Sequence, residues 1–146
     1  MPLAVFEIEM YGVAQGRSAT APATLINVYG KVAASGHRNS AQLFYSPTYS
    51  ALSGVVHNVG VSTSGIQILA GLPYEDFTRM YDILRNEAPV HLWSDYGASP
   101  STSKPLNFVG ILSGSSEKPG EGMSDPDSVK QFIRLASEDL PGSSST

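Results

Sequence analysis

One well-marked helix lies among segments that alternate like strands, and this arrangement restricts the chain to a mostly β fold. The helix is predicted over residues 73–87. Pro73 suits the first helical turn, where its missing N–H is not needed, and Glu75 and Asp76 place negative charge at the positive end of the helix dipole. Pro89 marks the far end, because a proline disfavours helical geometry in the residue before it. The predicted apolar face consists of residues at helical spacing: Tyr74, Phe77, Met80, Tyr81 and Leu84.

The clearest predicted strand covers residues 4–13. Phe6 and Ile8 fall on one face there, whereas Glu7 and Glu9 fall on the other, which is the period-2 pattern of a half-buried strand. A second strand is predicted at residues 23–33, after a loop that is longer than a tight hairpin. Similar short segments follow on both sides of the helix, at residues 41–46, 55–61, 65–71, 89–96 and 106–114.

This order of elements predicts an α+β fold that is mostly β, built as a small antiparallel barrel or sandwich with one packed helix. The order β-β-β-α-β-β is also that of the five-stranded Greek-key barrel of the OB type. An open α+β sandwich fits the same order. Both architectures therefore remain as alternatives.

Composition divides the chain into four parts. Residues 1–113 form the predicted β-rich core domain, and residues 114–124 have the Gly, Ser and charged content of a flexible linker. Residues 125–140 are predicted as an amphipathic C-terminal helix that begins at Asp125, and residues 141–146 as a disordered tail. This tethered helix can pack on its own domain or across a second copy of the chain.

Charge and composition limit the classes of partner. The net charge of −4 and the pI near 5.2 argue against nucleic acid, because phosphate neutralisation needs clustered lysine and arginine. The chain has no cysteine, which excludes a thiolate nucleophile and a cysteine-bound metal centre. Charged residues make up only 15% of the chain, so copies of the chain repel each other little, and we expect a homo-oligomer.

The first residues lack a basic region, and no apolar run is long enough for a membrane span, so we expect a soluble cytoplasmic protein without membrane contact.

The strand after the helix supplies the first candidate site. Regular alternation places His91, Trp93 and Asp95 on one face of this strand. The indole can stack on a small polar ligand while the imidazole and the carboxylate form hydrogen bonds. The alternative is that Trp93 packs in a core or a subunit interface. His91 and Asp95 lie about 13 Å apart along a straight strand, too far to share one ion, and neither a metal nor a cofactor is predicted.

The loop at residues 35–40 supplies the second candidate site. Successive N–H groups of a glycine-containing turn can surround an anion, and Arg38 can add a bidentate contact beside His37. The alternative is that these residues only provide turn geometry and solubility.

The chain lacks the G-x-S-x-G and G-x-x-x-x-G-K-[ST] patterns, and its carboxylates do not form a convincing catalytic pair. The sequence therefore predicts a non-enzymatic binding or structural module that self-associates. The main alternative is a small-ligand or carbohydrate-binding domain with Trp93 as a stacking platform. An OB-type nucleic-acid binder ranks below both, because a basic groove with interleaved aromatic residues is not visible.

Overall fold

The computed structural model describes residues 3–61, 64–99, 101–113 and 130–134. The elements within these ranges are β1 (Leu3–Glu7), β2 (Met10–Arg17), β3 (Pro22–Tyr29), β4 (Ser40–Ser46), β5 (Ser53–His57), β6 (Gln67–Pro73), a 3-10 turn (Tyr74–Asp76), α1 (Phe77–Asn86), β7 (Val90–Tyr96) and β8 (Lys104–Ser113). The fold is therefore β-rich with few helical residues, as the sequence predicts.

The eight strands form one sheet in the order β1-β7-β8-β5-β6-β4-β3-β2. Neighbouring strands are antiparallel except for β4 and β6, which are parallel. In the described part of the chain this sheet does not close, and six strands precede α1, whereas the OB order has three. The coarse α+β prediction is confirmed, but the specific five-stranded OB-type barrel is not supported.

The strand predicted at residues 4–13 is divided between two ends of the sheet. The Ile8 N–H donates to the Val90 carbonyl at 2.9 Å, and the next residue, Glu9, donates its N–H to the Tyr29 carbonyl at 2.8 Å. The chain thus leaves β7 and joins β3 within one residue. The alternation shifts by one residue here, because Glu9 and Met10 both oppose Tyr29, and buried Ile8 is followed on the same face by Tyr11, which lies opposite buried Val28.

The helix begins slightly later than predicted. Pro73 is the last residue of β6, and the 3-10 turn separates it from α1. The helix ends where the Glu87 N–H donates to the Ile83 carbonyl at 3.1 Å. The acidic residues Glu75 and Asp76 lie in the 3-10 turn, so the negative charge still precedes the N-terminal end of the helix.

The main core lies between one face of the sheet and α1. Ile26, Leu43 and Leu92 are fully buried on three different strands, and Leu84 of α1 is 4% exposed. Tyr45 is also fully buried, and its hydroxyl group donates to Met80 Sδ at 3.1 Å. Burial raises the pKa of the Tyr45 hydroxyl, with a smaller contribution from the charge of Asp76. The helix is therefore fixed to the sheet by apolar packing together with one buried polar contact.

A second apolar cluster lies on the other face of β7 and β8. Residues 130–134 are helical, and Ile133 is fully buried against Leu112. Partly buried Leu3, Trp93 and Phe108 complete the cluster. The described part of the predicted C-terminal helix thus packs on the sheet of its own chain. The predicted linker at residues 114–124, the rest of the helix at 125–140 and the tail at 141–146 lie outside the described residues.

Candidate functional site

His91, Trp93 and Asp95 occupy alternate positions of β7. They pair with Glu7, Val5 and Leu3 of β1 and with Leu112, Gly110 and Phe108 of β8, respectively. The intervening residues Val90, Leu92 and Ser94 are buried on the opposite face. Because β7 lies between two strands, the candidate face belongs to the interior of the sheet and not to a flexible edge.

Asp95 is the most unusual group on this face. The residue is only 7% exposed, and its Oδ1 atom has no hydrogen-bond partner among the residues that the structure describes. Burial raises the pKa of the Asp95 carboxyl group, and a hydrogen bond from the Asn107 side chain acts in the opposite direction. A buried carboxylate oxygen without a partner costs free energy, so it is a position at which a donor from a ligand would be favourable.

Trp93 has a structural role in the described residues. Its side chain packs against the cluster of Leu112 and Ile133 together with Leu3 and Phe108. Phe108 in turn meets Phe132 edge to face, with 5.7 Å between the ring centres. The indole is partly buried beside the helical segment at residues 130–134, so it is only partly available as a stacking platform.

The loop between β3 and β4 holds the second predicted site. His37 Nδ1 is hydrogen-bonded to the Ser35 hydroxyl group, and the guanidinium of Arg38 lies 5.8 Å from the centre of the Tyr29 ring. Arg38 Nη1 also approaches Met10 Sδ at 3.7 Å. Arg38 thus packs over an aromatic ring beside β2 instead of pointing into the turn. His37 and Arg38 make their side-chain contacts with Ser35, Tyr29 and Met10, none of which lies on β7, so these contacts do not combine the two predicted sites.

The third histidine does not join the candidate face either. His57 Nδ1 lies 2.7 Å from the Ser103 hydroxyl oxygen, within hydrogen-bonding distance, where β5 approaches the start of β8. Among the described residues no group of three or more His, Asp or Glu side chains is arranged to hold a metal ion.

An apolar cavity of about 450 Å³ lies between α1 and β8. Leu72, Met80, Ile83 and Ile111 line it, with Phe132 on one side. Asp76 and Arg79 supply its charged groups. Its lining comes from β6, α1 and β8 together with Phe132, which lie far apart in the chain, so no local sequence pattern predicts the cavity.

The exposed edge at β2 is a second feature that no sequence pattern predicts. All eight residues of β2 are exposed, and they include the large apolar side chains of Met10, Tyr11 and Val13, which are 48%, 41% and 42% exposed. Among the described strands β2 pairs only with β3. Residues 14–17 of this strand fall in the loop that the sequence predicts between the first two strands.

None of the helices in the described ranges is long and apolar enough to cross a membrane. The chain matches no family model, no curated protein and no solved structure among those with which it was compared.

Proposed function

We propose that this chain is a non-enzymatic binding module that self-associates through an exposed strand edge. The observation that carries the proposal is that all eight residues of β2 are exposed, with three large apolar side chains among them. Edge strands of monomeric proteins are usually protected by short length, by proline, by lysine or by an inward-pointing charge. Strand β2 has eight residues and contains neither proline nor lysine. It therefore presents backbone donors and acceptors to a partner.

The low charge of the chain favours the same function. Few charged residues leave little long-range repulsion between copies, so apolar contact at an edge is opposed less than on a highly charged surface. Tyr11 is also held in place, because its ring meets that of Tyr81 edge to face at 6.3 Å. A side chain that is already ordered loses less conformational entropy on association.

Size-exclusion chromatography with light scattering over a wide range of protein concentrations tests this function. We expect the mean mass to rise from that of one chain toward that of two. Val13→Lys should weaken association at least about tenfold, because it places a charge on the edge where an apolar contact is needed. Val32→Lys is the matched control, since Val32 is 46% exposed but lies in the β3–β4 loop. A strict monomer at every concentration, or equal effects of the two substitutions, would contradict the proposal.

A second candidate function is the binding of a small polar ligand or a carbohydrate at the face of His91, Trp93 and Asp95. The buried Oδ1 atom of Asp95 favours it, because no described residue donates a hydrogen bond to this atom. Trp93 is the only tryptophan, so its fluorescence reports directly on ligand binding there. Saturable quenching by one member of a sugar and metabolite panel, lost in Asp95→Ala, is the expected result. An emission that no member of the panel changes would argue against this candidate.

We rank nucleic acid below both candidates because of the net charge of −4. A cytoplasmic location also remains part of the proposal and rests on the sequence alone.

A further inference from the structure

The cavity between α1 and β8 lies along an open edge of β8. Side chains from both faces of this strand line it: Val109 and Ile111 belong to the main core, whereas Phe108 and Leu112 belong to the second apolar cluster. A space that meets both faces of a strand must lie along its edge. Strand β7 occupies the other edge, and β5 pairs with β8 only at residues 104–105. Past these two residues, the described part of the chain places no strand beside the cavity edge of β8.

This open edge leaves backbone polar groups beside an apolar space. Every second residue of a strand directs its N–H and C=O groups toward the same edge. Val109, Ile111 and Leu112 are only 8%, 3% and 7% exposed, so water has little access to this part of β8. Buried backbone groups are nearly always hydrogen-bonded, because an unpaired one costs free energy. A ligand that supplies both hydrogen-bond donors and acceptors is therefore favoured in the cavity.

Two charged groups of opposite sign lie on the helical side of the cavity. Asp76 and Arg79 are three residues apart, so their Cβ atoms are neighbours on the helix surface at about 5–6 Å. Asp76 is the N-cap residue of α1, yet its side chain makes no capping hydrogen bond. Within the described ranges the only ion pair joins Asp82 to Arg85, so Asp76 and Arg79 are not paired with each other there. Both charged groups are thus available to a ligand in the cavity.

We infer that this cavity binds a free α-amino acid with a large apolar side chain. The ammonium group of the ligand meets the Asp76 carboxylate, its carboxylate meets the Arg79 guanidinium, and its side chain fills the space between α1 and β8. Only about 2.5 Å separates the nitrogen from the carboxyl carbon of an amino acid, so its two charges can reach neighbouring side chains on one helical turn. Binding at this cavity does not require the self-association proposed above.

The size and the lining of the cavity agree with such a ligand. Its volume of about 450 Å³ lies within the range of roughly 300–1,000 Å³ that is usual for small-molecule sites. Apolar walls with a few polar groups are also typical of these sites. A ligand with a single charge would satisfy either Asp76 or Arg79, but not both. A polar amino acid would leave the apolar walls without a contact.

Isothermal titration calorimetry with leucine, methionine, phenylalanine and tryptophan tests the ligand class. The tightest binder is then compared with its N-acetyl derivative, which lacks the ammonium charge, and with its amide, which lacks the carboxylate. We expect each derivative to bind at least about tenfold more weakly, because one charged side chain of the protein then loses its partner. Free serine, which keeps both charges but has no large apolar side chain, should not bind at up to about 10 mM.

Two substitutions assign each charge of the ligand to a side chain. In Asp76→Asn the N-acetyl derivative should bind as well as the free amino acid, because the ammonium group no longer has a partner. In Arg79→Gln the same should hold for the amide. Asp82→Asn and Arg85→Gln are the matched controls. These two residues have the same spacing on α1, but they pair with each other at 3.0 Å and do not line the cavity, so the affinity ratios should stay as in the wild type.

Ile83→Trp tests the place of the apolar side chain, because it fills the cavity without changing a charge. We expect it to abolish binding, and far-UV circular dichroism checks that it is folded. Binding that persists in folded Ile83→Trp would place the ligand elsewhere and overturn the inference. Failure of all four apolar amino acids to bind at up to about 10 mM would also overturn it. Equal binding of the N-acetyl derivative to the wild type would do the same, because the site would then take a carboxylate alone.

Discussion

Asp95 shows how a single residue can be placed correctly on a strand face and still have an unexpected environment. Alternation along β7 predicts its side of the sheet, but its burial depends on β1 and β8, which flank it with Leu3 and Phe108. Asp95 is 7% exposed, one of its carboxylate oxygens has no partner within the described ranges, and burial raises the pKa of the group. The contacts that produce this environment come from residues about 90 positions earlier and 13 positions later in the chain, which no local pattern reveals.

The raised pKa predicts how stability depends on pH. The folded state binds the Asp95 proton more tightly than the unfolded state. The contribution of this group to stability therefore decreases as the pH rises from the ordinary pKa of 3.8 through the raised pKa of the folded state. Asp95→Asn removes the charge. We therefore expect the free energy of unfolding of Asp95→Asn, relative to that of the wild type, to be greater at pH 7 than at pH 3.5. Urea unfolding of both proteins at the two values measures this. A stability difference that is the same at both values would show that Asp95 does not titrate with a raised pKa.

At the level of elements, local signals located the helix but not the order of the strands. Proline, acidic residues and apolar spacing act within one turn or two, which explains why the prediction at residues 73–87 lies within a few residues of α1. The division between β1 and β2 is set by Val90 and Tyr29. These residues lie on strands that are far apart in the strand order, and they bind the consecutive residues Ile8 and Glu9. The same reasoning applies to the candidate site. Alternation predicts that His91 and Trp93 share a face, but it does not predict the cavity beside α1 or the open edge at β2.

The pairing of β5 with β6 depends on one glycine. Gly54 has φ +144°, and a Cβ atom there would lie 2.1 Å from the Leu69 carbonyl oxygen. Gly54→Ala should therefore lower the free energy of unfolding by about 2–4 kcal/mol, since the backbone of β6 cannot move away without breaking its own pairs. Gly12→Ala is the matched control, because a Cβ atom there meets nothing within 4 Å. It should change stability by less than about 1 kcal/mol. Equal losses in denaturant unfolding would contradict the close approach at Gly54.

At the scale of the whole molecule, β7 and β8 carry apolar clusters on both faces. Leu92 and Ile111 point into the core beneath α1, whereas Trp93 and Leu112 point toward the helical segment at residues 130–134. Ile133 is fully buried and connects that segment to the sheet. If both clusters belong to one cooperative unit, then removing side-chain volume at Ile133 destabilises the entire fold and exposes the tryptophan.

Ile133→Ala should therefore lower the free energy of unfolding by about 2–4 kcal/mol, the usual range for truncating a buried isoleucine. The native Trp93 emission should also shift to longer wavelength, because the indole loses its neighbour. Lys130→Ala is the control, since Lys130 is exposed on the same segment and should have little effect. Denaturant unfolding followed by both tryptophan fluorescence and far-UV circular dichroism measures these changes.

Coincident transitions with a reduced free energy of unfolding would place the segment at residues 130–134 in the cooperative core. An emission shift without a loss of stability would instead mean that the segment docks independently, and then the face of His91, Trp93 and Asp95 could open to a ligand without unfolding the sheet.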